Sequence, residues 1–145
     1  LFLLIACKEE VEPNGIWDVT ITGTGSENPC IDSVEGFEQT YEYAVYNEAT
    51  YVEIEVDGEF FATGEIRGCK LTYESGIYLD EGQNGPFRWR INGTADVESA
   101  GGGCPDVPDE YDWFGDETLT VISSENEDIE EGCTYNMSSM GVLSK

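Results

Sequence analysis

The sequence predicts an all-β fold, an eight-stranded antiparallel up-and-down barrel, and three observations support this prediction. Apolar and polar residues alternate with a period of two in several segments, as in strands that are buried on one face. The turn-forming pairs Asp57-Gly58 and Arg67-Gly68 separate successive segments. No segment shows a convincing apolar period of 3.6 residues, the pattern of a helix. A barrel is favoured because closure removes exposed sheet edges, and a two-sheet β-sandwich with similar pairing is the alternative.

The alternation defines the strands in chain order. They are predicted over residues 17–22, 41–45, 52–56, 60–66, 71–73, 87–97, 118–123 and 134–140. Short hairpins join most of them, and two longer links span residues 25–36 and 98–115. An eight-stranded barrel has an interior that is filled by side chains or holds one small ligand. The aromatic residues expected to face inward, as packed core or as the lining of a ligand site, are Trp17, Tyr41, Tyr43, Phe60, Phe87 and Trp89.

The composition is strongly acidic and contains no histidine. The chain of 145 residues carries 31 Asp and Glu against six Lys and Arg, a formal charge of −25. Such a surface repels phosphate backbones and anionic lipid head groups, which excludes nucleic-acid binding and a polybasic membrane contact. The absence of histidine removes the commonest general base and the usual metal ligand. Because aromatic residues make up 12% of the chain, the acidity does not indicate disorder.

The N-terminus carries a short motif that ends in a cysteine. An apolar run leads into Leu4-Ile5-Ala6-Cys7, and polar residues follow at once. This segment resembles the lipobox of bacterial lipoproteins, in which the peptide is cut before the Cys and the sulfur is acylated. The resemblance implies that residues 1–6 are the C-terminal remnant of a signal peptide and that Cys7 is lipidated. Two or three acyl chains give stable anchoring in a membrane.

The residues after Cys7 suggest a location and a domain boundary. Lys8-Glu9-Glu10 resembles the surface-export signal of lipoproteins in the Bacteroidota, a basic-then-acidic run after the lipidated Cys. This implies a lipid-anchored protein of the bacterial outer membrane, exposed at the cell surface, and a periplasm-facing position is the alternative. Residues 7–14 are then the lipidated Cys and a tether, and residues 15–145 form a single β-barrel domain.

The remaining four cysteines are expected to form two disulfides, as an oxidising exterior favours. They are Cys30, Cys69, Cys104 and Cys133, and none lies in a CxxC pair, so we expect no metal site. In an up-and-down barrel, Cys30 and Cys133 fall at one end, beside the first and last strands that closure makes neighbours. Cys69 and Cys104 fall at the other end. Because bridging needs Cα atoms within about 7 Å, the topology predicts the pairs Cys30–Cys133 and Cys69–Cys104.

The start of the first strand resembles a known barrel family. Gly15-Ile16-Trp17 is similar to the G-x-W signature of lipocalin-type barrels, in which the Trp closes the barrel floor. The hairpin over residues 63–71 and the loop at Cys133 are similar to those of small bacterial lipocalin-like lipoproteins. The resemblance covers residues 15–140 and implies a lipocalin-like barrel.

Two charged groups suggest further sites, each with a simpler interpretation. Arg88 and Arg90 share one face of a strand, and we interpret them as cross-strand partners of surface acids rather than an anion site in the lumen. The acidic loop 106–117 does not have EF-hand spacing, so a solvated loop is favoured over a calcium site. Its carboxylates belong to Asp106, Asp109, Glu110, Asp112, Asp116 and Glu117.

These observations favour binding over catalysis, because no nucleophile and base can be paired in the sequence and no catalytic residue is assigned. We expect a cell-envelope lipoprotein whose barrel binds a small apolar ligand and needs no cofactor. The alternative is a protein-interaction module, such as a barrel-type protease inhibitor, with a filled lumen and no ligand. An open apolar cavity would favour the first role, and a filled barrel would favour the second.

Overall fold

The computed structural model describes residues 13–27, 30, 34–98, 104 and 107–144. These residues form nine strands. The strands are β1 (Gly15–Glu27), β2 (Glu38–Glu48), β3 (Tyr51–Val56), β4 (Glu59–Arg67), β5 (Lys70–Ser75), β6 (Tyr78–Asp80), β7 (Phe87–Val97), β8 (Trp113–Ser124) and β9 (Thr134–Leu143). Over this described part of the chain, no helix is long and apolar enough to cross a membrane.

Eight of the strands close into an antiparallel barrel. Their order is β5-β4-β3-β2-β1-β9-β8-β7, and β7 pairs with β5 to complete the circle. The first and last strands, β1 and β9, are hydrogen-bonded along most of their lengths. The predicted eight-stranded barrel is therefore confirmed in preference to the two-sheet sandwich.

The ninth strand, β6, is not predicted by the sequence. It pairs with the start of β7, where Tyr78 lies opposite Trp89, whereas β5 pairs with a later part of β7, where Glu74 lies opposite Asn92. β6 thus continues the line of β5 along β7 after a short break at residues 76–77. Three residues are too few to show an alternation, so the sequence pattern ends with β5.

The chain visits the two ends of the barrel alternately. We call the end that carries residues 30, 34–37, 57–58, 76–86 and 125–133 the upper end. The lower end carries residues 13–14, 49–50, 68–69, 98, 104 and 107–112, together with the end of β9. The tight turn at Asp57 and Gly58 has φ angles of 51° and 86°, as a two-residue hairpin loop requires.

The interior is filled by alternate residues of the strands. Along β1, the buried residues Trp17, Val19 and Ile21 alternate with Asp18 and Thr20, which are less buried. The equivalent positions on the neighbouring strands contribute aromatic and aliphatic side chains to one continuous core cluster. Burial of this apolar face is what fixes the register, because a shift by one residue would turn every core side chain outward.

Both predicted disulfides are confirmed. Cys30 is bonded to Cys133 at the upper end, with their Cα atoms 4.8 Å apart. Cys69 is bonded to Cys104 at the lower end, with their Cα atoms 5.9 Å apart. Cys7 and residues 1–12 lie outside the described residues, so lipidation at Cys7 and the signal remnant stay predictions.

Candidate functional site

A cavity of about 330 Å³ opens at the lower end of the barrel. The ends of β1, β2, β4, β5 and β7 surround it. Its apolar lining consists of Trp17, Val45, Ile66, Leu71 and Val97. Asn14, Asn47, Gly68 and the Cys69–Cys104 disulfide complete its wall. The cavity is at the small end of the range that holds small-molecule ligands, and its mixture of apolar lining and few polar groups is typical of such sites.

Trp17 lines this cavity and also belongs to the barrel core. Its ring packs over Gly15, where an added Cβ would lie 2.4 Å from Cη2 of the indole, so only glycine fits two residues before it. The indole Nε1 donates a hydrogen bond to the backbone oxygen of Glu98 at 3.4 Å. Packing on Gly15 and this hydrogen bond therefore hold Trp17 in place at the lower end of the barrel.

Behind Trp17, the core contains a buried carboxyl group held by two phenols. Tyr43 and Tyr73 both donate a hydrogen bond to Oε2 of Glu117, at 2.6 and 2.5 Å. Glu117 is only 2% exposed. Burial raises the pKa of Glu117, and the two phenol donors oppose that rise by stabilising the carboxylate. Burial and the nearby Glu117 charge raise the pKa of both tyrosines well above the ordinary value, which keeps them protonated as donors.

Aromatic rings fill the space around this group. The Trp113 ring lies 5.3 Å from that of Tyr43, 6.1 Å from Tyr73 and 5.8 Å from Trp17, measured between ring centroids. Its indole Nε1 donates to Oγ of the buried Ser139 at 3.1 Å, so the polar atom of this fully buried ring is satisfied. The middle of the barrel is therefore packed core.

The cavity and the buried carboxyl group occupy successive layers of the barrel. On β2, Val45 lines the cavity and Tyr43 holds Glu117; on β5, Leu71 lines the cavity and Tyr73 holds Glu117. Each pair is separated by two residues, which corresponds to about 7 Å along a strand. The Glu117 carboxyl group thus lies one layer of side chains above the cavity lining.

The six aromatic residues predicted as inward-facing do not form one site. Trp17 and Tyr43 are buried in the core, and Tyr41 packs against it half-buried. Phe87 packs against a separate cluster at the upper end, and the half-buried Trp89 lies 4.9 Å from the Tyr78 ring. Within this set, only Trp17 lines the cavity.

The inward placement of Phe60 is wrong, since its side chain is 55% exposed. Strict alternation backwards from the buried Ala62 would turn Phe60 inward. A bulge in the β3–β4 pairing, however, places Ile54 opposite Ala62 and Glu55 opposite Phe60, so Phe61 is an extra residue. Phe61 takes the inward position instead and packs against the Tyr43 and Tyr73 rings.

Two core residues, Glu117 and Trp113, are absent from the set of inward-facing residues that the sequence predicts. The sequence pattern predicts a strand from residue 118 and an acidic loop over residues 106–117, whereas β8 begins at Trp113. The signal for this part of the strand is a period-two pattern. From Trp113 to Val121, inward positions, which are apolar except for Glu117, alternate with outward positions.

The other acidic residues of the predicted loop differ in their surroundings where they are described. Asp109 and Glu110 lie in a turn, Asp116 lies on β8, and Asp112 Oδ2 accepts a hydrogen bond from the backbone N–H of Leu143 at 2.7 Å. Asp106 lies outside the described residues. Among the residues that are described, no group of three or more Cys, Asp or Glu side chains is arranged to hold a metal ion.

The arginine pair lies away from the lumen. Arg88 is exposed, and Arg90 is partly exposed with its Nε 3.2 Å from a carboxylate oxygen of Glu74. This is the cross-strand ion pair that the simpler interpretation predicts for Arg90. Such exposed pairs contribute at most about 1 kcal/mol to stability.

No protein-family model, curated protein or solved structure matches the chain. Its function must therefore be inferred from the geometry of the barrel itself.

Proposed function

We propose that this protein is a binding protein, not an enzyme, and that it binds a small, largely apolar ligand in the cavity at the lower end of the barrel. The observation that carries the proposal is the cavity of about 330 Å³ with Trp17, Val45 and Leu71 in its lining. Removing an apolar ligand surface from water against these side chains contributes about 25 cal/mol per Å². Asn14 and Asn47 at the rim supply the few polar atoms that orient a bound molecule.

The packed core above the cavity limits the size of this ligand. Trp17, Trp113 and Tyr73 fill the barrel from the cavity inward, and each is at most 4% exposed. A long acyl chain would need these rings to move. The ligand therefore occupies only the lower part of the barrel.

We also propose, from the lipobox resemblance, that acylation of Cys7 anchors the protein to the outer membrane. Asn14 lies at the cavity rim, and the seven residue steps from Cys7 to Asn14 span at most about 25 Å. An anchor at Cys7 would therefore hold the cavity end of the barrel toward the membrane.

The binding proposal is tested by titrating the protein with tert-butylbenzene, a small neutral apolar molecule, and recording the intrinsic tryptophan emission. We expect saturable binding with a change in emission, because Trp17 lines the cavity. Ile66→Phe fills part of the cavity and should lower the affinity. Ile77→Phe is the matched control, since Ile77 is exposed outside the barrel wall and its replacement should leave binding unchanged.

The result that contradicts the proposal is the absence of saturable binding, or equal affinity in the wild type and in Ile66→Phe. Thermal unfolding of each variant shows whether it is folded before binding is compared.

A second candidate function, a protein-interaction module, is favoured by one other observation. Phe60, Ile77 and Leu79 are large apolar side chains that are at least half exposed around β6. The Tyr78 hydroxyl donates to the backbone oxygen of Phe61 at 3.0 Å and holds β6 beside the start of β4. Exposed apolar clusters of this kind mark protein contacts. This role predicts that Leu79→Glu weakens binding of a protein partner while Ile66→Phe does not.

A further inference from the structure

We infer that the ligand of the lower cavity is an organic cation, an amine or quaternary ammonium group carried on a small apolar body. This inference rests on the proposed function and specifies the chemistry of its ligand. Three features of the described residues carry it: the charge around the cavity mouth, the indole in its wall, and the carboxylate one layer behind the lining.

The cavity mouth carries excess negative charge. Arg67 and Lys70 flank the Gly68-Cys69 turn that lines the cavity, and both are ion-paired. Arg67 contacts the Glu65 carboxylate, and Lys70 Nζ lies 2.9 Å from Oδ1 of Asp96. The same end of the barrel carries further acids at Glu48, Glu98 and Asp112. With a formal charge of −25 on the whole chain, the mouth attracts cations and repels carboxylate ligands.

The wall of the cavity contains an indole ring. Trp17 lines the cavity, and indole is the aromatic side chain that attracts a positive charge most strongly through its face. The hydrogen bond from its Nε1 to the Glu98 backbone oxygen fixes the orientation of the ring. A cation held against a pre-oriented ring loses less freedom on binding than one that must order the ring.

Behind the lining, Glu117 places a carboxylate in the barrel interior. A continuous set of aromatic rings lies between the cavity and Glu117. The Trp17 ring packs against that of Trp113, and the Trp113 ring packs against those of Tyr43 and Tyr73. Burial raises the pKa of Glu117, and the two phenol donors to one of its oxygens act in the opposite direction by stabilising the carboxylate. No ion pair joins Glu117 to any of the described Lys and Arg side chains. In the low dielectric of the core, such a charge acts over a longer distance than it would in water.

The test compares two ligands of the same shape that differ in one charge. Phenyltrimethylammonium is the cation, tert-butylbenzene is its neutral isostere, and benzenesulfonate serves as the anion. Calorimetric or fluorescence titration of the wild-type protein at low salt should show the cation binding about tenfold more tightly than the neutral molecule. The anion should not bind, and at about 0.3 M salt the preference for the cation should shrink but persist, because the buried charge is poorly screened.

The possible failures of this test are distinguishable. If none of the three molecules binds, the proposed function itself is wrong. If tert-butylbenzene binds saturably and the cation binds no more tightly, the cavity is a binding site but the cation inference is overturned.

Variants locate the source of the preference. Glu117→Gln removes the buried charge and should lower the ratio of cation affinity to neutral affinity by several-fold. Glu131→Gln, an exposed position at the upper end, is the matched control and removes the same formal charge far from the cavity. Glu48→Gln, exposed beside Asn47, is a second test in case Glu117→Gln does not fold, and should lower the ratio at low salt. The inference would be overturned if the ratio of cation affinity to neutral affinity were the same in the wild type, Glu117→Gln and Glu48→Gln. It would also be overturned if this ratio fell as much in Glu131→Gln as in those two variants.

Discussion

The two ends of the barrel are built differently. At the upper end, Val121, Cys133 and Tyr135 are buried, and side chains from the adjoining loops, including Val34 and Ile129, pack over them. At the lower end, Trp17 and the other lining residues leave an open cavity. Both ends carry a disulfide, and the lower one, Cys69–Cys104, lines the cavity.

Hydrogen bonds join neighbouring loops at the upper end. Asn126 Nδ2 donates to the backbone oxygen of Gly85 at 2.8 Å, and Asn84 Nδ2 contacts the Asp128 carboxylate. Gly85 has a φ of 119°, and an added Cβ would lie 2.5 Å from the backbone oxygen of Glu125, so the loops approach too closely for a side chain there. In the proposed function, the lower end binds the ligand, and we assign the packed loops of the upper end a stabilising role.

Removing the upper disulfide should have the largest effect on stability. Cys30 and Cys133 are 103 residues apart in sequence, so the double variant Cys30→Ser/Cys133→Ser should lose about 4–5 kcal/mol of unfolding free energy in the chain-entropy model. Urea unfolding measures this loss. If the variant is as stable as the wild type, the upper end does not have the stabilising role assigned to it.

Removing the lower disulfide should cost less stability but should affect binding. Cys69 and Cys104 are 35 residues apart, so Cys69→Ser/Cys104→Ser should lose about 4 kcal/mol at most. Because the disulfide is part of the cavity wall, the affinity for tert-butylbenzene should fall in this variant. In Cys30→Ser/Cys133→Ser, once it is shown to be folded, the affinity should equal that of the wild type. Parallel titration of both variants checks the comparison, and the reverse pattern of affinities would contradict it.

The smallest expected effect is a pH dependence that arises from Glu117. Its pKa is raised by burial in the folded protein, so the unfolded chain releases this proton at lower pH. Protonation of Glu117 therefore stabilises the folded protein. This contribution is fully present below the ordinary pKa of 4.5 and is lost as pH rises through the raised pKa of Glu117 in the folded protein. The wild type should therefore lose stability relative to Glu117→Gln over that interval.

The comparison with Glu117→Gln is needed because other groups also titrate or carry charge near this site. Tyr43 and Tyr73 donate hydrogen bonds to Glu117, and the charge of Glu117 contributes to the raised pKa of Tyr41. The charge of Asp57 contributes to the raised pKa of Tyr41 and Tyr43, and the charge of Asp116 contributes to that of Tyr73. At each pH, the difference in unfolding free energy between the wild type and Glu117→Gln removes the contributions of these groups that the two proteins share. A difference that does not change with pH, or that changes in the opposite direction, would contradict the assignment.

The sequence predicted the barrel well because its evidence is local. Alternation and turn residues located eight strands, and closure then paired Cys30 with Cys133 and Cys69 with Cys104, as observed. The site was harder to predict. The bulge that exposes Phe60 depends on the pairing of β3 with β4, which no local pattern records.

The buried carboxyl group was missed for a different reason. A Glu in an acidic stretch predicts a solvated loop, and only the partners Tyr43 and Tyr73, 74 and 44 residues away, make burial of Glu117 tolerable. The cavity likewise depends on where five strands end together. These features are properties of the assembled barrel, and sequence alternation alone does not contain them.

The most direct test of the central claim is to locate the bound ligand. Two-dimensional NMR of isotope-labelled protein, titrated with phenyltrimethylammonium, reports which residues sense binding. We predict progressive shifts of the Trp17 indole N–H and of Val45, Leu71 and Val97 at the lower end, with Val121 at the upper end unchanged. Shifts confined to the upper end, or no saturable shift at the lower end, would contradict the account.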